Sequence, residues 1–281
     1  MSIRVVSLAS AVAGLLCLFV PVIYADCPGE NSLATGKIVA NPNRPTVANP
    51  ADITQYGVLE LEYGYEHDKA QLNQKQNQLG GLLKFAGTCN LELRWSTGSF
   101  LNQSDPNNSQ SGIGDNWLGF QYRVRRQSQH VPTLAFGYAL KFPSASVSKG
   151  LGSGRYDHQL VFLSSKDIKG IHFDFNTSVF LVGRPNGSGV DQNVQSNLAF
   201  SRPIYKSLGF TGEFYGSTKL GDQAPAYASG LWALTYTASP RLVIDAGMDH
   251  AITSGAPDIR RVFVGFTYSI ADVYALIRAR R

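Results

Sequence analysis

The chain has 281 residues, 43% hydrophobic and only 16% charged, with a formal net charge of +5 and a mean hydropathy of -0.10. That mean is too low for a bundle of membrane helices, because a single apolar stretch approaches the roughly 20 residues a spanning helix needs. The charge is modest and spread along the chain, which excludes the clustered basic footprint of a nucleic-acid binder.

The apolar stretch opens the chain: Arg4, then Val5 to Ile23 broken by Pro21, then Tyr24-Ala25. A positive start, an apolar middle and a small closing residue read as a secretory signal peptide over residues 1–25, cut after Ala25, with an uncleaved anchor as the alternative. Cleavage removes Arg4 and so takes the charge from +5 to +4. Cys27 and Cys89 survive it, and in an oxidising setting an even pair is a disulfide candidate. Residues 26–52 are rich in Pro, Asn, Ala and Thr without periodicity and read as a polar periplasmic lead-in. The alternative is a plug inside a barrel lumen.

From Ile53 the period is two. In Tyr56 to Glu66, Leu59, Leu61, Tyr63 and Tyr65 lie on one face, and Glu60, Glu62 and Glu66 on the other. Ionised carboxylates in a row are costly in hydrocarbon and must face inward. Strands follow at Leu79 to Ala86 and Leu91 to Gly98. The stretch Gly112 to Phe142 then supplies two runs: Leu118, Phe120, Tyr122 and Val124 alternate with Gly119, Gln121, Arg123 and Arg125, and Leu134 to Phe142 repeats the pattern. Successive side chains of a strand point to opposite faces, so each run wants oil on one side and water on the other. Further strands are expected at Gln159 to Ser165, Gly170 to Gly183, Val194 to Arg202, Ser207 to Lys219, Tyr227 to Ser239, Arg241 to Ala251 and Arg260 to Ile270.

The connectors alternate. Long ones lie near 68–78, 99–112, 143–156, 184–192, 220–226 and 252–258, and short ones near 87–90, 127–131, 166–169, 203–206 and 239–240. Outer-membrane barrels have long extracellular loops and short periplasmic turns, whereas a soluble sandwich has no reason to sort its loops by parity. The expected fold is therefore all-β: a closed, antiparallel, up-and-down transmembrane β-barrel of about 12 strands over residues 53–270, in the outer membrane of a Gram-negative-type bacterium. Cys27 and Cys89 then share the periplasmic side. Residues 271–281, ending RARR, read as a basic periplasmic tail.

GIGD (112–115) opens a strand, FQYRV follows, and PTLAFGYALKFP (132–143) leads into the glycine-rich GLGSGRYD (150–157); YGVLELEYGYEHD (56–68) forms the first strand. This resembles the MetA-pathway-of-phenol-degradation family of outer-membrane transporters. Many members carry Thr-Gly after the strand-ending proline, where this chain has Ser144-Ala145. The resemblance implies an outer-membrane protein associated with uptake of small, often aromatic, compounds.

By parity the lumen presents Glu60, Glu62, Lys84, Glu92, Arg94, Gln121 and Arg123, then Asp174, Asn176, Gln195, Glu213 and Asp245. One reading is a ladder of inward salt bridges. Another has Arg94 and Arg123 lining a constriction that selects anions. Asp68, Asp157 and Asp249 each neighbour a histidine at the extracellular strand ends and are expected to form an acidic rim. Neighbours on a strand cannot both point into one site, so these pairs do not read as catalytic, and no enzyme is expected. The histidines are scattered, and GLGSG lacks a following Lys-Ser/Thr, so no metal or other cofactor is expected. The expected function is passive uptake of small solutes, aromatic or hydrophobic compounds among them. A structural or surface-interaction barrel is the first alternative and a barrel-embedded hydrolase the second. Outer-membrane lipid, the solute and the outer-membrane assembly machinery are the expected partners, with no nucleic acid.

Overall fold

The computed structural model describes residues 37–281, apart from 71–73, 186 and 279–281. The expected signal peptide, Cys27 and the first part of the lead-in lie outside the described residues.

The strands are β1 (Val58–Ala70), β2 (Lys75–Ala86), β3 (Leu91–Ser104), β4 (Ser109–Ile113), β5 (Asn116–Arg125), β6 (Thr133–Phe142) and β7 (Asp157–Ile168). They continue with β8 (Ile171–Gly183), β9 (Val190–Tyr205), β10 (Leu208–Ser217), β11 (Tyr227–Ser239), β12 (Leu242–Ala251) and β13 (Asp258–Asp272), and a short helix α1 (Val273–Arg278) closes the described chain. Each strand is antiparallel to its neighbours, and β13 pairs with β1 from Asp258↔Ala70 to Asp272↔Val58, which together with the β2–β3 pairing closes the ring. Of the 13 strands, β4 and β5 both lie against β3, on its far and near halves, and the ring is a closed 12-strand barrel.

The burial pattern is that of a globular protein turned inside out. Lys84, Glu60, Glu92, Glu213 and Gln121 are among the most deeply buried side chains, while Leu93, Trp95, Phe136, Leu198, Leu234 and Val264 are exposed. A sheet with oil outside and water inside has this distribution. No helix among the described residues is long and apolar enough to cross a membrane; the strands do the crossing.

Several strands outrun the expectation. The connector expected at 68–78 shrinks to 71–74, and residues 99–113 are largely strand, with β3 running to Ser104 and β4 starting at Ser109. These extensions are built of Gln, Asn and Ser, which satisfy a hydrogen-bonded ladder without supplying the apolar alternation by which a strand is recognised. The short turns are where the parity places them; Lys169 and Gly170 both take positive φ, 51° and 80°, in a two-residue hairpin. The first part of the expected tail is helical, pinned by Tyr274, whose hydroxyl donates to the Gly87 carbonyl (2.9 Å) and whose ring packs on Tyr56 and Phe85.

Candidate functional site: the lumen and the segment inside it

Residues 37–56 do not trail below the ring. The Ala40 N–H donates to the Pro240 carbonyl (2.8 Å) at the short-turn rim, and the chain then crosses the lumen before joining β1. The described part of residues 26–52, for which a periplasmic lead-in or a lumen plug was expected, thus runs along the inward face of the wall. The reason is in the backbone. An irregular buried segment must satisfy its N–H groups, and the wall carboxylates and amides provide acceptors at each step. Glu60 accepts from Asn41 N (2.9 Å), and Glu62 from Asn43 N (2.8 Å) and Arg44 N (3.2 Å). Glu213 takes Val47 N and Ala48 N, one on each oxygen, at 2.7 Å. Asn176 and Asn49 bond reciprocally, the Ala51 N–H reaches Ser165 Oγ (2.7 Å), and Glu92 accepts both N–H and hydroxyl of Thr54 at 2.8 Å. Ala51 also packs on Ala135 and Leu163 of the wall.

Cations close the arrangement. Lys84, fully buried, reaches Glu60 (2.7 Å), Glu62 (2.5 Å) and the Asn41 carbonyl (2.6 Å). Arg44 of the segment grips Asp245 with two N–H groups at 3.1 Å and lies 3.6 Å from Glu66. Its guanidinium fits over Gly64 and Gly265, which face each other on β1 and β13; a Cβ there would come within 2.6 and 2.4 Å of it. These glycines leave room for a side chain from another part of the chain.

The arginines expected to line an anion-selective constriction are engaged with this segment and its neighbours. Arg123 donates to Asp52 (2.9 Å) and to the Cys89 carbonyl (2.7 Å), and Arg94 to Gln121 (2.9 Å), beside Glu92 at 3.4 Å. The segment thus delivers Asp52 to Arg123, while the wall itself supplies Gln121 and Glu92 to Arg94. Among the remaining inward candidates, Gln195 donates to Asn197, which donates to Glu213, and Asp174 accepts from Ser165 Oγ (2.5 Å). Cys89 is disulfide-bonded.

Toward the long-loop end the wall pairs with itself. Asp68 takes Arg261 (2.7 Å), Asp157 takes Lys141, and Asp249 accepts from the Tyr215 hydroxyl. All three carboxylates are buried, so the expected acidic rim is a set of matched pairs. Their neighbouring histidines take the opposite face, where His67 meets Asn77 and His158 meets Tyr138. Between these pairs the inner face carries apolar groups: Trp117, Val161 and Phe180 on one side, and Leu231, Ala233 and Phe263 on the other. The glycine-rich loop folds in as well. Asp115 accepts the Ala145 N–H (2.9 Å), and Ala145 and Leu151 pack on Leu101. A polar cavity of about 300 Å³ at this end is lined by Gln74, Gln76, Gln103, Asn108, Gln110 and Lys149 among others. Among the described residues no group of three or more His, Cys, Asp or Glu is placed to hold a metal ion.

Of the inward residues Lys141 and Arg261, the first was legible by the same alternation that marked the others, since it sits between Leu140 and Phe142; Arg261 follows Arg260, and two adjacent arginines do not say which one turns inward. Arg44, Asp52 and Thr54 carried no such signal, because an aperiodic stretch has no face.

The barrel resembles a COG4313 outer membrane channel from Pseudomonas putida F1, with a TM-score of 0.64 and 11% identity over 80% of this chain and 100% of that one. Weaker likenesses are to the NanC porin (TM-score 0.49, 12% identity, 75% of this chain, 100% of that one) and the KdgM porin (0.48, 12%, 75% and 99%). No curated protein matches the sequence. Residues 43–270 match the family described as "Putative MetA-pathway of phenol degradation", so that the match begins inside the internal segment and ends with the last strand. The chain belongs to that family.

Proposed function

We propose that this protein is an outer-membrane channel for passive uptake of small solutes, with aromatic and hydrophobic compounds bearing a polar group as the favoured class. One observation carries the reading: the lumen segment is held mainly by hydrogen bonds and ion pairs to polar side chains of the wall, with only the small cluster of Ala51, Ala135 and Leu163 beside them among the described residues. Each such contact is exchangeable with water, so a path past the segment opens by local rearrangement while the ring stays closed. The upper lumen supports the solute class, since Trp117, Phe180 and Phe263 share the inner face with Lys141, Arg261 and their acids. A ring and an acidic or hydroxyl group would each find a partner there. The family's description and the naming of the Pseudomonas putida relative as a channel are consistent with this.

The filled lower half favours a second reading, a structural or surface-interaction barrel that does not conduct. Liposome swelling separates them. The channel reading expects purified barrel to admit small aromatic acids faster than sugars of similar mass; vesicles impermeable to both sets would support the structural barrel.

A further inference from the structure

The two rims of the barrel differ in charge. At the long-loop rim bases and acids are interspersed, and three pairs form: Arg184 with Asp191 (2.6 Å), Lys219 with Asp222 (3.2 Å) and Arg261 with Asp258 (2.9 Å), beside further bases such as Lys69, Lys75 and Arg155 and further acids such as Asp68 and Asp105. The short-turn rim carries Arg125, Arg126, Lys169, Arg202, Lys206 and Arg241 against Asp167 and Asp272. Both of those carboxylates are taken up locally, Asp167 by His172 (2.8 Å) and Gln127 (3.0 Å), and Asp272 by the Ala275 N–H (2.9 Å).

One sector of this collar repeats a two-part arrangement. In the β9–β10 turn the Lys206 ammonium lies over the Tyr205 ring, 5.1 Å from its centroid. In the β11–β12 turn the Arg241 guanidinium lies over Tyr268, at 5.6 Å, and donates to the Ser269 carbonyl (2.9 Å). Both tyrosines are exposed, and they continue the outward apolar belt through Ile204, Tyr236 and Ile270. Outward aromatics at the edge of such a belt sit at headgroup level. A merely solvated collar would let its cations extend away from the wall into water. Here the Tyr205 ring holds Lys206 against it, and the Tyr268 ring together with the Ser269 and Ile270 carbonyls holds Arg241.

We propose that Arg202, Lys206 and Arg241, with Tyr205 and Tyr268, form a binding surface for anionic phospholipid headgroups in the leaflet that meets the short turns, the inner leaflet in barrels of this architecture. Charge complementarity and continuity with the lipid-facing belt carry the inference. It rests on the barrel lying in a membrane and is independent of whether the lumen conducts.

The test is the association of spin-labelled phosphatidylglycerol and spin-labelled phosphatidylcholine with the full barrel in zwitterionic vesicles. The proposal expects a preference for phosphatidylglycerol on the order of 5-fold or more, falling as salt is raised. Arg202→Gln, Lys206→Gln and Arg241→Gln combined should abolish it, with heat-modifiable gel mobility showing that the variant is folded. Should the triple variant not fold, the single variants Lys206→Gln and Arg202→Gln should each reduce it. Neutralising Lys69, Lys75 and Lys219 at the opposite rim should leave the preference intact. Equal association of the two probes with the unmodified protein, a preference that survives the triple variant, or one lost with the opposite-rim variant would overturn the proposal.

Discussion

The lower and upper halves of the lumen use the same residue types for different ends. Near the short turns, Glu60, Glu62, Glu92 and Glu213 accept main-chain or side-chain donors from residues 41–54, so the wall's charge is spent on holding another piece of the chain. Near the long loops, Asp68, Asp157 and Asp249 are matched by Arg261, Lys141 and Tyr215 of the wall itself, and no described hydrogen bond ties them to the segment. Inward charge is therefore not by itself evidence of ion selection. What matters is whether its partner is on the wall, on the segment, or in the solute.

The largest expected effect breaks the lower half at its cation. Lys84→Met leaves Glu60 and Glu62 buried together without their shared ammonium, a change of about 3–5 kcal/mol. The urea midpoint for loss of heat-modifiable mobility should fall markedly, more than for any substitution in the upper half. Next comes Gly265→Val. Its side chain would occupy the space of the Arg44 guanidinium, releasing the grip on Asp245, worth roughly 2–3 kcal/mol of charge-assisted bonding. Limited proteolysis should then cut between residues 40 and 56 in the variant and not in the unmodified barrel.

The upper half should respond less. Asp249→Asn keeps an acceptor for the Tyr215 hydroxyl, so a loss of about 1 kcal/mol and unchanged protease resistance of the segment are expected. Smallest is His67→Ala on the outer face, within about 0.5 kcal/mol by the same unfolding assay.

This contrast also marks what the sequence made legible. The ring follows from alternation: a glutamate between leucines at 59–62 or an arginine between Tyr122 and Val124 has one physical placement in a sheet wetted by oil on one side. Connector parity gave the two rims. What alternation could not supply was the destination of residues 37–56. Their Pro, Asn and Thr composition describes a chain without its own ladder, and such a chain is equally suited to water or to a lumen rich in acceptors. The glutamates that decide between these lie in distant strands, with Glu213 meeting Val47 across 166 positions. The same limit holds for Arg94 and Arg123: alternation places them on the inward face, and nothing in their spacing tells that Asp52 would meet Arg123.

Single-channel conductance of the purified protein in planar bilayers tests the central claim most directly, with the unmodified barrel beside a variant combining Arg44→Ala and Glu213→Ala. A conducting lumen obstructed by its own segment predicts small openings for the first and larger, steadier ones for the second, with the ring intact by gel mobility. Silence from both, or identical currents, would contradict it.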